Sequence, residues 1–146
     1  MTKPVRILLV EDNRQDVVLF RILLRKASTS MGVALDCDEA AGGAPALRLL
    51  ADRRYDIVFL DQQMPGMDGL QTFKRLKELK QPPEYRPKVV IYSNCDLKEF
   101  QRECDVLGTD GFATKYLRPL ELAAILQEQL GMEAAEPQWE RSKSPG

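Results

Sequence analysis

Asp56-Ile57-Val58-Phe59-Leu60 is a short apolar run that ends on a carboxylate, Asp61. Its residues are Val, Ile, Leu and Phe without a polar alternation, which reads as a strand covered on both faces. Three further runs share the pattern. Val5-Arg6-Ile7-Leu8-Leu9-Val10 ends in Glu11-Asp12, Lys88-Val89-Val90-Ile91-Tyr92 ends in Ser93, and Gly111-Phe112-Ala113-Thr114 ends in Lys115. Helical stretches separate them. Alternating strands and helices imply an α/β fold: a doubly wound parallel sheet with right-handed crossovers and helices on both faces. In such sheets ligands bind beyond the carboxyl ends of the strands. Three carboxylates, a hydroxyl and an ammonium are therefore expected on one edge.

Outward from these runs the chain reads as five βα units. Strand one covers about 5–10, and helix one about 14–26, with Val17, Val18, Phe20, Ile22, Leu23 and Leu24 as its apolar positions. A weaker strand two lies around Ala34 to Glu39. Gly42-Gly43 opens helix two, with Pro45 in its first turn. Strand three covers 56–60, and Met64-Pro65-Gly66-Met67-Asp68-Gly69 is a turn-rich loop before helix three, about Leu70 to Lys80. The prolines of Gln81-Pro82-Pro83-Glu84-Tyr85-Arg86-Pro87 make that stretch a connector. Strand four is 88–92, helix four about 97–107 ending at Gly108, strand five 111–114, and Pro119 starts helix five. The fold is expected to occupy residues 1–131, with polar residues 132–146, Trp139 among them, as a flexible tail.

Composition narrows the function classes. The 146 residues carry a net charge of −1 and no histidine. That balance gives no basic footprint for nucleic acid. The missing histidine excludes His-based catalysis and most zinc sites. Cys37, Cys95 and Cys104 lack metal-ligand spacing. No stretch is apolar enough to span a bilayer, and Met1-Thr2-Lys3-Pro4 runs directly into a strand, so a cytoplasmic location is expected.

Each polar strand end has an ordinary alternative when taken alone. Asp12-Asn13 can cap a helix, Asp61 can make an Asx turn, Ser93-Asn94 can start a loop, and Lys115 can be a solvated charge. Together they form a coherent set for a magnesium ion and a phosphoryl group. Magnesium takes about six oxygens and keeps several waters, so one or two carboxylates and a phosphate oxygen suffice. Asp12 and Asp61 can ligate it directly, Glu11 directly or through water, and a backbone carbonyl just after Asp61 can add an oxygen. Asp61 as a carboxylate is then the nucleophile, and Lys115 and Ser93 meet phosphoryl oxygens.

These stretches, from Leu8-Leu9-Val10-Glu11-Asp12-Asn13 through Met64-Pro65-Gly66-Met67-Asp68-Gly69 to Gly108–Lys115, resemble the receiver domain of two-component response regulators over about residues 4–131. The resemblance implies a five-stranded, flavodoxin-like sheet of strand order 2-1-3-4-5. It implies that Asp61 takes phosphate from a sensor histidine kinase or a phosphotransfer protein. Glu11 and Asp12 match the acidic metal pair, and Gln63 the position whose main-chain carbonyl ligates magnesium. Ser93 and Lys115 match the switch hydroxyl and the lysine, and Phe112 the rotating aromatic. The family has proline after the lysine, often in a cis bond; here Tyr116 stands there, which is expected to reshape the loop and the signalling surface. Asn94 follows the hydroxyl where the family has a small residue.

The leading expectation is thus a single-domain regulator, switched by phosphate and acting through an unknown downstream protein or by phosphorelay, without nucleic acid or membrane insertion. It is expected to be no enzyme beyond self-phosphorylation and slow loss of phosphate. A pseudo-receiver, a pure interaction module, is the first rival, and a metal-dependent phosphohydrolase the second. Intact Glu11, Asp12, Asp61 and Lys115 oppose the first; the lack of a visible general acid or substrate cap opposes the other.

Overall fold

The structure is a computed structural model that describes residues 3–82, 85–95 and 97–132. The elements run β1 (Val5–Val10), α1 (Arg14–Met31), β2 (Leu35–Ala40), α2 (Gly43–Asp52), β3 (Ile57–Asp61), α3 (Gly69–Lys77), β4 (Lys88–Ser93), α4 (Lys98–Leu107), β5 (Gly111–Thr114) and α5 (Pro119–Gln129). The strands form one parallel sheet in the order β2-β1-β3-β4-β5. This is the doubly wound, flavodoxin-like arrangement expected from the sequence. Residues 133–146, and with them Trp139 and most of the expected tail, lie outside the described residues.

The apolar runs lack alternation because both sheet faces are covered. Ile7 and Leu9 point to one face with Phe59, Val90 and the helices α1 and α5. Leu8 and Val10 point to the other, with Val58, Leu60, Ile91 and buried residues of α2, α3 and α4. The apolar side chains of β1, β3 and β4 therefore meet apolar neighbours on both faces, although successive ones point oppositely.

Register places the strand ends in one row. Val10 pairs with Leu60, Asp61 with Tyr92, and Ser93 with Thr114. Glu11, Asp61, Ser93 and Lys115 consequently emerge within a residue or two of each other along the sheet. β1 hydrogen-bonds both β2 and β3, so the order reverses beside it, and the crevice at that switch point is where an α/β sheet takes its ligand.

Helix α1 runs to Met31, five residues beyond the reading from periodicity. Ser28-Thr29-Ser30 are weak helix formers, but Ala27 and Met31 are buried against the core, and Gly32 in the left-handed region (φ 66°) closes the helix with its N–H on the Ser28 carbonyl. Of the apolar positions expected on this helix, Val17, Phe20 and Leu24 are buried, whereas Val18 and Ile22 are exposed. Phe20 anchors α1 to the sheet, its ring 5.1 Å from Phe59 and 5.5 Å from Tyr92. Helix α3 ends at Lys77 rather than near 80, because Glu78 and Leu79 turn back onto the Arg75 and Leu76 carbonyls.

At the other end of the strands a polar knot ties β2 to the chain before β3. The buried Tyr55 hydroxyl donates to Asp38 at 2.6 Å, and Arg53 and Arg6 approach the same carboxylate at 3.1 and 3.7 Å. The Tyr55 hydroxyl bond, with the two arginines, holds the Asp38 carboxyl below its ordinary value. A depressed carboxyl stabilises the fold above its unfolded value and loses that contribution as pH falls through the folded one. Tyr55→Phe is expected to cost about 1 kcal/mol at neutral pH. It should also shift the acid limb of unfolding upward. Urea melts across the acid range check this; an unchanged acid limb would remove Tyr55 from the knot.

Candidate functional site

The chain leaves β1 through Glu11, Asp12 and Asn13 and enters α1 at once. Asn13, extended at φ −86° and ψ 116°, caps the helix by accepting the Asp16 N–H at 3.1 Å. The cap is thus Asn13 alone. Asp12 is left exposed, and Glu11 turns inward to 2% exposure.

Asp61 closes β3 and is 1% exposed. Its Oδ1 accepts the Gln63 backbone N–H at 3.3 Å, the Asx-type contact that the sequence allowed. Its Oδ2 is buried and has no hydrogen-bond partner. The following loop is folded tightly over the strand end. Gly69 donates its N–H to the Gln62 carbonyl at 3.1 Å, and a Cβ there would stand 2.5 Å from the Asp61 carbonyl oxygen. Only glycine lets α3 start so close to the acceptor strand. A reciprocal capping box between Asp68 and Gln71 then holds that first turn.

Lys115 enters from the far side of the sheet. Its backbone N–H extends the β4–β5 ladder to the Ser93 carbonyl at 3.1 Å, and its side chain is 7% exposed. The ammonium donates to Glu11 Oε1 at 2.5 Å and to Asp16 Oδ2 at 3.0 Å, and stands 3.3 Å from Asp61 Oδ1. Four of the expected residues, Glu11, Asp12, Asp61 and Lys115, thus meet as expected. Asp16, 8% exposed, belongs to the same cluster and was missed by sequence reasoning. The only sequence signal for it is an acidic residue in a helix first turn, which ordinarily marks the helix dipole.

The remaining expected residues lie around this centre. Ser93 is fully buried, and its Oγ accepts the Cys95 N–H at 3.1 Å. Phe112 is half-buried and packs edge-on against Phe100 of α4, with ring centres 5.8 Å apart. Gln63 is exposed beside Asp61. Tyr116 follows Lys115 through a trans bond, is 62% exposed, and is the one non-glycine among the described residues with positive φ, 66°. An aromatic residue in the left-handed region costs about 1–2 kcal/mol, so the loop that follows Lys115 carries local backbone strain.

Burial and neighbouring charges together set the protonation. Burial and the neighbouring Asp61 carboxylate push the Glu11 carboxyl up to about 8, against the pull of Lys115. Burial alone would lower the Lys115 ammonium, but its bonds to Glu11 and Asp16 and the charge of Asp61 hold it above its ordinary value. Burial likewise pushes the Tyr92 phenol, whose ring lies under Lys115, up to about 12.

Carboxylate oxygens of Glu11, Asp12 and Asp61 all lie within 4.8 Å of one another. Hard oxygen donors, an excess of negative charge and an orphaned Asp61 Oδ2 together fit a magnesium ion. The geometry agrees with the comparisons. The model of the response regulator receiver domain matches residues 7–127. The chain belongs to the response regulator receiver family. The receiver is 31% identical over 126 residues to the two-component response regulator ORR41 of rice, covering 85% of this chain and 93% of that protein. It is 28% identical over 127 residues to the hybrid signal transduction histidine kinase L of Dictyostelium discoideum, covering 84% of this chain and 7% of the kinase. Among solved structures it superposes, with a TM-score of 0.74 and 24% identity, on the receiver domain of the sensor histidine kinase PA1611 of Pseudomonas aeruginosa; 88% of this chain and 99% of that one are covered. That crystal structure has a magnesium ion coordinated in its active-site cleft. A receiver fold is that of a phosphoacceptor signalling domain rather than of a conventional enzyme. No helix among the described residues is long and apolar enough to cross a membrane.

Proposed function

We propose that this receiver accepts a phosphoryl group on Asp61 from a sensor histidine kinase or a phosphotransfer protein, and signals by phosphorylation-dependent protein contact or by relay. The observation that carries the reading is the Asp61 carboxylate. It is buried beside a lysine, with Oδ1 held by the Gln63 N–H and Oδ2 without a partner. In the transfer, an Asp61 oxygen attacks phosphorus and forms the acyl phosphate bond. The bond from phosphorus to the donor nitrogen or oxygen breaks, and the donor keeps its electron pair.

Asp12, Asp61 and the Gln63 main-chain carbonyl would hold magnesium directly, with Glu11 acting through water. When bound, magnesium supplies charge neutralisation for the carboxylates and the incoming phosphoryl oxygens. Glu11 suits the indirect role because Oε1 is engaged by Lys115 and Oε2 lies 3.4 Å from the Asn13 N–H. Lys115 balances charge on the phosphoryl group, and Ser93, whose Oγ accepts the Cys95 N–H, keeps its own O–H to donate to a phosphoryl oxygen once it moves close. Acetyl phosphate with magnesium, read by intact mass, tests the proposal: one added phosphoryl group supports it, and none refutes it. Asp12→Ala removes one of few protein oxygens, so it should weaken magnesium binding about tenfold or more, whereas Glu11→Ala should do less. Magnesium titration of intrinsic fluorescence or amide shifts measures both, and tight binding in Asp12→Ala would refute the ligand set.

The same contacts supply a switch. Ser93 moving toward the phosphoryl group frees space beside β5, and Phe112 turns further inward. Phe112 already packs on Phe100 and has no hydroxyl to satisfy, so the switch is a modest population shift. Tyr116, exposed on the adjoining loop, contributes to partner choice. We place the receiver unit at residues 1–131; the match to the rice response regulator spans 93% of that protein.

A further inference from the structure

We propose that Asp16 is a positioning residue for Lys115 and thereby sets how tightly the site holds a phosphoryl group; this rests on the phosphoacceptor reading of Asp61. A first-turn acid that serves only the helix dipole remains at the surface. Asp16 is instead 8% exposed, and its carboxylate bonds an ammonium 99 residues away at 3.0 Å. Its place is fixed from both sides. Asn13 takes its backbone N–H, and Phe20, one turn on along the same helix face, is packed between Phe59 and Tyr92.

The ammonium has three protons to donate. Two are directed to Glu11 Oε1 and Asp16 Oδ2, while Asp61 stands at the longer distance of 3.3 Å, in ionic contact without a hydrogen bond. Lys115 is therefore held toward α1. Its third proton remains for a phosphoryl oxygen on Asp61, and moving closer to deliver it stretches the bond to Asp16 that holds the ammonium toward α1. Asp16 acts as a competitor for the lysine, and it links the pose of α1 to the state of the acceptor.

The test combines two readouts on the full chain. The first is the rate at which acetic anhydride labels Lys115 relative to the other lysines. The second is the affinity of beryllofluoride, a phosphoryl mimic, at saturating magnesium. Asp16→Asn should raise Lys115 labelling severalfold and tighten beryllofluoride about tenfold, the lower end of what one charged hydrogen bond contributes. Asp16→Ala should do the same if the amide alters folding. In a Lys115→Met background, Asp16→Asn should leave beryllofluoride affinity unchanged, because the effect passes through the lysine. Unchanged labelling in both Asp16 variants overturns the proposal. So does a gain in affinity that persists without Lys115, or increased labelling with no change in affinity. If the unsubstituted chain takes no beryllofluoride at Asp61, the phosphoacceptor reading fails instead, and the labelling ratio alone decides whether Asp16 holds Lys115.

Discussion

Asp61→Asn is expected to abolish phosphorylation by acetyl phosphate while leaving the fold intact. The amide keeps the shape of the side chain and an oxygen for the Gln63 N–H, which lies 3.3 Å from Oδ1 in the parent. It lacks the anionic oxygen that forms the acyl phosphate bond, and nucleophilicity at neutral pH depends on that charge. Replacing a buried carboxylate that touches Glu11 and Lys115 also relieves like-charge crowding. The variant should therefore be as stable as the parent in magnesium-free buffer, or more so. Intact mass after incubation with acetyl phosphate and magnesium reads the first outcome, and a urea melt reads the second. Equal labelling in Asp61→Asn would move the acceptor to another residue.

Lys115→Met carries the largest expected cost in stability. The methionine fills much of the lysine stem's space but leaves buried Glu11, Asp16 and Asp61 without their common cation. Removing one partner of a buried pair costs about 3–5 kcal/mol, because the remaining charges stay desolvated. The lysine is 7% exposed, so solvent does little to screen this loss. Magnesium should restore part of the loss in Lys115→Met, and stabilise it more than it stabilises the parent, since it replaces positive charge at the same carboxylates. Urea denaturation with and without magnesium checks both statements. A loss of no more than about 1 kcal/mol, the scale of an exposed ion pair, would show that Lys115 is not the charge that holds this cluster together.

Asp61 and Lys115 are legible in the amino-acid sequence alone, and Asp16 is not; the difference is physical. A strand covered on both faces must be apolar throughout, so the runs ending at Val10, Leu60 and Tyr92 mark themselves. In a parallel α/β sheet the residues that follow them share one edge. Place and chemistry together therefore select Glu11, Asp12, Asp61, Ser93 and Lys115. Local spacing also locates the helices, since their apolar positions recur at helical intervals. It errs where tertiary burial outweighs propensity. Met31 and Ala27 prolong α1 through a serine-rich stretch, and Val18 and Ile22 point away from the core that periodicity expects them to fill.

What a polar side chain meets is decided by the tertiary structure alone. Asp16 and Asp12 look alike in sequence, yet Asn13 caps α1, Phe20 fixes the helix roll, and Asp16 is turned inward to a lysine from the other end of the chain. Gly69 reads as one more turn residue until β3 and α3 are packed, when a Cβ would strike the Asp61 carbonyl oxygen. Tyr116 signals a departure from proline in the sequence, but its left-handed backbone, φ 66°, is seen only in the folded chain. Strand and helix segments mark themselves through the local spacing of their apolar residues, which periodicity records. Charge pairing and close backbone approach depend on sheet register and helix roll, which bring together residues that no local pattern relates.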